Sequence, residues 1–184
     1  MTAHTTRLMA ERATALTAAL LFGTPAATPA SIDAVLDAFG EPPGAAVPEA
    51  RLTHADVEEM RAAATRLLPV YAAESLEEAA TLLNRILADV AKPPRLTAHG
   101  GSTGWHLHVD ADDDGPWGEW LLASSAMALA VLLADHQRLP GGVCASAGCG
   151  RPYLGTGGGS PRRYCDTRCA TRARVASHRA RATR

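Results

Sequence analysis

The sequence predicts an α+β chain, with a mainly helical N-terminal domain that carries one β-hairpin or small sheet, followed by a small C-terminal module. Three observations predict it. Hydrophobic residues make up 47% of the 184 positions but aromatic ones only 4%, so the core must be built from Leu, Ala and Val, which favours packed helices over a sandwich. The apolar period is helical along most of the first 140 residues and changes to two in a single stretch around 105–109. All four cysteines are held back to the last 41 positions, where the charge also reverses sign.

The elements follow in order. Residues 6–22 read as an amphipathic helix ended by Gly23 and Pro25. Ser31 reads as the cap of a short helix, "IDAVLDAF", stopped by Gly40 and Pro42, and "GEPPGAAVPEA" reads as a linker. A third helix starts near Thr53 with Asp56 in capping-box position and Val57, Met60, Ala64, Leu67 and Leu68 on one face. A fourth follows from Ser75, with Leu76, Ala79, Leu82, Leu83, Ile86 and Val90 inward. Trp105, Leu107 and Val109 then alternate with His106, His108 and Asp110, which makes a strand, and "RLTAHGGSTGWHLHVD" becomes a hairpin with its tip at His99 to Gly104. Asp112 to Asp114 reads as a polar turn. The most apolar helix runs from Glu119 to Leu139 and is expected at the centre, closed by Pro140; the Gly141-Gly142 pair divides a domain of residues 1–140 from a module of 141–184.

Residues 1–140 carry nine Lys and Arg against eighteen Asp and Glu, whereas 141–184 carry nine Arg against one Asp. An acidic body thus bears a basic module suited to a polyanion. The stretch 14–30 has some features of a secretion signal, but Glu11 beside Arg12 spoils its leading region and threonine breaks the apolar run. No run of about 20 apolar residues is evident for a bilayer span. A cytoplasmic chain with no membrane partner is expected.

The cysteines fall as Cys144-x4-Cys149, fifteen intervening residues, then Cys165-x3-Cys169. Two short-spaced pairs joined by a modest loop suit tetrahedral Zn2+, each pair presenting two thiolates from one turn. Two disulfides or four unrelated thiols are the other readings, and reduced cytosolic thiols favour one structural zinc. The module is therefore expected to be a treble-clef-like or ribbon-like zinc finger. The loop "GTGGGSP" reads as a flexible tip. From Asp166, which reads as the N-cap, the chain reads as a helix whose Cys169, Ala173, Ala176 and Ala180 form a narrow face able to lie against the zinc knuckle. Arg168, Arg172 and Arg179 fall on one exposed stripe and Arg174, His178 and Arg181 on another, with Arg162 and Arg163 just before the helix. Arginine without lysine favours phosphate, since the planar fork binds phosphate oxygens in pairs. These eight side chains are the candidate nucleic-acid contacts.

"CASAGCGRPYL", "RRYC" and "CATRARVASHRAR" resemble the CGNR-type zinc finger found at the C-terminus of bacterial ABATE-domain proteins, a family regarded as stress-induced transcription regulators. The resemblance implies four cysteine ligands to zinc at Cys144, Cys149, Cys165 and Cys169, a basic helix after them, and an N-terminal α+β domain with a ligand-sensing role. The naming tetrapeptide here is Cys169-Ala170-Thr171-Arg172, which keeps its first and last members.

His106-x-His108-x-Asp110, with His99 nearby, has the spacing of a metal-binding strand face, but it reads more simply as the solvent side of a strand whose Trp105, Leu107 and Val109 face the core. Ser102, Ser124 and Ser125 lack any nucleophile motif, and the last two are expected to bond to their own helix backbone. The expected function is therefore not enzymatic: a DNA-binding transcription regulator, with a protein adaptor docking on an acidic partner, or an RNA-binding module, as alternatives.

Overall fold

The computed structural model describes residues 6–40, 52–101, 104–112, 115–155 and 162–182. The linker around 41–50, Ser102, Asp113 and Asp114, and the glycine-rich loop 156–161 lie outside the described residues.

Among the described residues five α-helices form the body: α1 (Thr6–Phe22), α2 (Pro29–Ala38), α3 (His54–Ala72), α4 (Leu76–Val90) and α5 (Trp117–His136). Local capping chemistry sets several of their starts. Thr53 Oγ1 accepts from the backbone N–H of Asp56 at 3.2 Å while the Asp56 carboxylate accepts from the Thr53 N–H at 2.7 Å, a reciprocal capping box. Ser75 caps α4 by accepting from the Glu78 N–H at 3.1 Å. In α2 the expected cap is displaced by three residues. Thr28 is the N-cap and Ser31 sits at N3 of the box, because Pro29 at the first helical position favours the earlier start.

The apolar faces meet around α5, which packs on α1, α3 and α4. Leu16 and Leu20, Met60 and Leu67, Leu83 and Ile86, and Leu121 and Leu129 close one core. Leu76, expected inward, is 37% exposed, and Leu68 and Val90 are half-buried. With 20 residues, α5 is long and apolar enough to cross a bilayer by length and composition, contrary to the expectation that no segment was. Its Leu121, Leu122, Leu129 and Leu132 are instead buried against the neighbouring helices. It ends at His136, earlier than the sequence suggests, with Gln137 in the left-handed conformation at φ 51°.

Two antiparallel hairpins complete the fold. The first pairs β1 (Arg95–Thr97) with β2 (His106–His108) in the register Arg95 to His108, Leu96 to Leu107 and Thr97 to His106. Its alternation is as expected and Val109 is buried as expected, but at Trp105 and Leu107 the facing is inverted. Trp105 is 76% exposed and Leu107 46%, while Asp110 is buried and His108 nearly so. The second hairpin pairs β3 (Gly141–Val143) with β4 (Pro152–Leu154) and leads into helix α6 (Thr167–Ala182).

Candidate zinc centre and basic helix

Cys144 follows β3 and Cys149 precedes β4, so the first pair lies on the knuckle of the second hairpin. The knuckle turns on Gly148 and Gly150, at φ 71° and 64°, a region that glycine adopts without steric penalty. The Cys149 N–H donates to the Ser146 carbonyl at 3.0 Å, closing the turn. Cys165 lies two residues before α6 and Cys169 in its first turn, positioned by Asp166, whose carboxylate accepts from the Cys169 N–H at 2.7 Å. Hairpin, knuckle and helix make a treble-clef-like finger.

The four thiols converge. Their sulfur atoms lie within 4.8 Å of one another, and the Cys149–Cys165, Cys165–Cys169 and Cys169–Cys149 separations are each 3.7 Å. A tetrahedron with Zn–S bonds of about 2.3 Å requires sulfur atoms about 3.8 Å apart. The cysteines are free thiols rather than disulfides. Burial raises the Cys144 thiol, but the backbone groups of Cys165 and Ser146 and the thiols of Cys149 and Cys165 outweigh it and bring the pKa to about 7. Cys165 is pushed well up by burial and by its three sulfur neighbours, and Cys169 is raised by burial as well. Without a cation the cluster accommodates a thiolate at Cys144 and resists ionisation at Cys165 and Cys169, so a dication is what four thiolates need. The finger holds one structural zinc through Cys144, Cys149, Cys165 and Cys169, which gives a module of this size the core it cannot build from side chains.

Tyr153 and Arg162 frame the site, a role that sequence reasoning missed for both. The Tyr153 hydroxyl donates to the Arg162 carbonyl. A Cβ on Gly142 would lie 2.5 Å from that hydroxyl, so only glycine leaves the tyrosine its place. Arg162 donates through Nε to the Tyr164 carbonyl at 2.7 Å and through its guanidinium to the Cys165 carbonyl. This candidate nucleic-acid contact is thus committed to the zinc loop, while Arg163 lies beside the Tyr164 ring, 5.9 Å from its centroid.

Within α6 the alanine face covers less than its spacing implies. Cys169 is buried and Ala170 and Ala173 are half-buried, but Ala176 and Ala180 are exposed. The knuckle spans only the first two turns. Beyond them the helix extends past the finger, with Arg168, Arg172, Arg174, His178, Arg179 and Arg181 all exposed.

The finger is docked on the body rather than tethered to it. Val143 and Leu154 pack against the helical core, and the Arg151 guanidinium reaches the carboxyl end of α1. Nothing in the sequence pattern around the Gly141-Gly142 pair signals this contact.

A second group of residues is brought together where solvent was expected. The rings of His99, His106 and His108 lie with centroids 4.8 to 5.0 Å apart. Behind them, Arg12 of α1 is buried, donates to Ser124 Oγ at 3.2 Å and lies 4.5 Å from the Trp120 ring centroid. Burial lowers its pKa to about 10 against the opposing pull of Asp110, so it remains charged at neutral pH. Ser124 therefore serves Arg12 rather than its own helix, and Ser125 Oγ is buried with no hydrogen-bond partner among the described residues.

Comparison with known proteins divides the chain in the same order. The CGNR zinc finger model matches residues 141–182. The ABATE model, described as "Putative stress-induced transcription regulator", matches residues 23–136. No curated protein matches the chain. Since the second of these models spans more than half of the sequence, the chain belongs to the ABATE family and carries a CGNR zinc finger after the ABATE domain.

Proposed function

We propose that the protein is a DNA-binding transcription regulator, acting by binding rather than catalysis, in which the zinc finger presents α6 to the phosphate backbone. The observation that carries this reading is the exposure of five arginines and one histidine around a helix that extends beyond its own knuckle. A solvated helix gains nothing from such self-repulsion, whereas a polyanion releases counterions on meeting it. The acidic body would keep the rest of the surface away from DNA, leaving the finger as the point of contact. Residues 1–140 and 141–184 act in this reading as a sensing body and a binding module. A groove between α1 and the finger, lined by Thr14, Ala18, Tyr153 and Arg162, offers a place where a small ligand would bridge the two. A cytoplasmic location suits four reduced thiols.

The test is retention of genomic DNA fragments by the zinc-loaded protein, titrated against salt. Sequence-selective retention supports the regulator. Capture of one acidic protein with no DNA or RNA retained would replace it with an adaptor, and preference for single-stranded RNA would replace it with an RNA-binding module.

A further inference from the structure

The geometry points to a second metal site in this protein, in the ABATE domain and separate from the finger: His99, His106 and His108 bind one divalent first-row transition ion of the Zn2+ class through their Nε2 atoms.

The argument starts from the outer nitrogens of two rings. His106 Nδ1 lies 2.7 Å from the Gly104 carbonyl oxygen, which can only accept, so Nδ1 carries the proton. His108 Nδ1 lies 2.8 Å from Asp110 Oδ1, a buried carboxylate that Arg95 also engages at 3.0 Å. The Arg95 guanidinium is 3.4 Å from that same nitrogen, but the carboxylate contact is much the shorter and makes His108 Nδ1 a donor. In the Nδ1–H tautomer each of these rings turns an Nε2 lone pair inward. Those two atoms are 3.0 Å apart, and His99 Nε2 is 3.2 Å from the Nε2 of His106. Two lone pairs at that distance repel unless a cation lies between them.

A shared proton would join one pair, while a metal ion engages all three. Zn–N bonds of about 2.0–2.1 Å in a tetrahedron set the nitrogens about 3.3 Å apart, close to the spacing present. Asp110 on His108 and the Gly104 carbonyl on His106 are the outer partners that metal-bound imidazoles require, since they fix the tautomer and raise ligand basicity. The third ring is delivered by an unusual backbone. His99 has φ 46°, a left-handed conformation uncommon for a residue with a Cβ, and it is followed by Gly100 and Gly101 at φ 64° and 93°. Its N–H donates to Thr97 Oγ1 at 3.1 Å, which holds the turn. Three nitrogens and no thiolate suit zinc, cobalt, nickel or copper rather than magnesium or calcium, and they leave one position for water or an exogenous ligand.

The experiment is metal analysis of the full chain, saturated with Zn2+ and desalted. Two zinc ions per chain are expected, falling to one in a His106→Ala, His108→Ala double variant that keeps its helical circular dichroism. Loading with Co2+ separates the sites: wild type should show thiolate-to-cobalt charge-transfer bands from the finger plus cobalt bands from a nitrogen site, and the double variant only the former. The single change His99→Gln, at the hairpin tip, guards against misfolding, and Asp110→Asn should weaken the second ion by about 10–100-fold. One zinc per chain in saturated wild type, unchanged in the double variant, overturns the site. A second ion held as tightly after His99→Gln as before overturns the three-ligand assignment.

Discussion

The guanidinium of Arg151, in the zinc finger, donates to the carbonyl of Phe22, the last residue of α1, at 3.1 Å. A Cβ on neighbouring Gly150 would lie 3.1 Å from the Phe22 ring, so the knuckle rests directly on the end of that helix. Together with Val143 and Leu154 on the helical core, this contact ties the stability of the body to the metal state of the finger.

Removing the metal tests that coupling. The body has its own core and should stay folded when a chelator strips the finger, but it loses the partial burial of two aliphatic side chains. At about 1 kcal/mol for each half-buried side chain, the body should melt several degrees lower, and thermal scans with and without chelator will read it. An unchanged melting temperature of the helical signal would mean that the finger contributes nothing to the body.

The pairing of β3 and β4 gives a second prediction. A methyl group on Gly141 would lie 2.2 Å from the Tyr153 carbonyl oxygen and 3.1 Å from the Tyr71 ring. Gly141→Ala must therefore push apart the hairpin and the body, costing about 1–3 kcal/mol by chemical denaturation and lowering zinc retention.

Arg12 carries the third. Replacement by Ala removes the cation over Trp120, leaves Ser124 without its donor and takes a charge away from Asp110. A loss of about 1–3 kcal/mol is expected from the lost contact with Trp120 and the lost hydrogen bond to Ser124, while Asp110 keeps its pairing with Arg95. Arg12→Met, which retains much of the stem, should cost less.

The capping box of Thr53 with Asp56 and the cap at Ser75 depend on residues three apart, so the sequence holds all the information they need. The cysteine spacing is similar: each pair is local, and a tetrahedral ion supplies the closure. The facing of the first hairpin is not local. A period of two says that His106, His108 and Asp110 share one side, but which side is buried depends on whether polar groups find partners there. They do: Arg95 pairs with Asp110 at 3.0 Å, and the same carboxylate favours the buried charge of Arg12. Leu96, Trp105 and Leu107 are left facing outward. The burial of Arg12 is not local either, since Trp120 and Ser124, which surround it, lie more than a hundred positions along the chain.

The cap of α6 titrates. The Asp166 carboxyl is held below its ordinary value chiefly by the Cys169 backbone N–H. A depressed carboxyl contributes stability that is present above its unfolded value, about 4, and is lost as pH falls through the folded value. Asp166→Asn still caps but does not titrate. The difference in α6 helicity between wild type and this variant should therefore change only on the acid side of about pH 4, and a difference that persists unchanged through that range would exclude the cap.

The arginines separate into two classes that one experiment distinguishes. Arg168, Arg172 and Arg179 are exposed on α6, so changing all three to Gln should leave the zinc bound while DNA affinity falls, and the log-log salt slope should flatten by about 0.9 for each lost phosphate contact. Arg162 instead donates to the Tyr164 and Cys165 carbonyls beside the metal. Arg162→Gln should therefore release zinc more readily, and any loss of DNA binding should follow the loss of the finger. If the triple variant binds DNA as tightly and with the same salt slope as wild type, these three arginines make no phosphate contact. If neither the full chain nor residues 141–184 alone binds any nucleic acid at low salt, where counterion release is most favourable, the helix is there for an acidic protein partner.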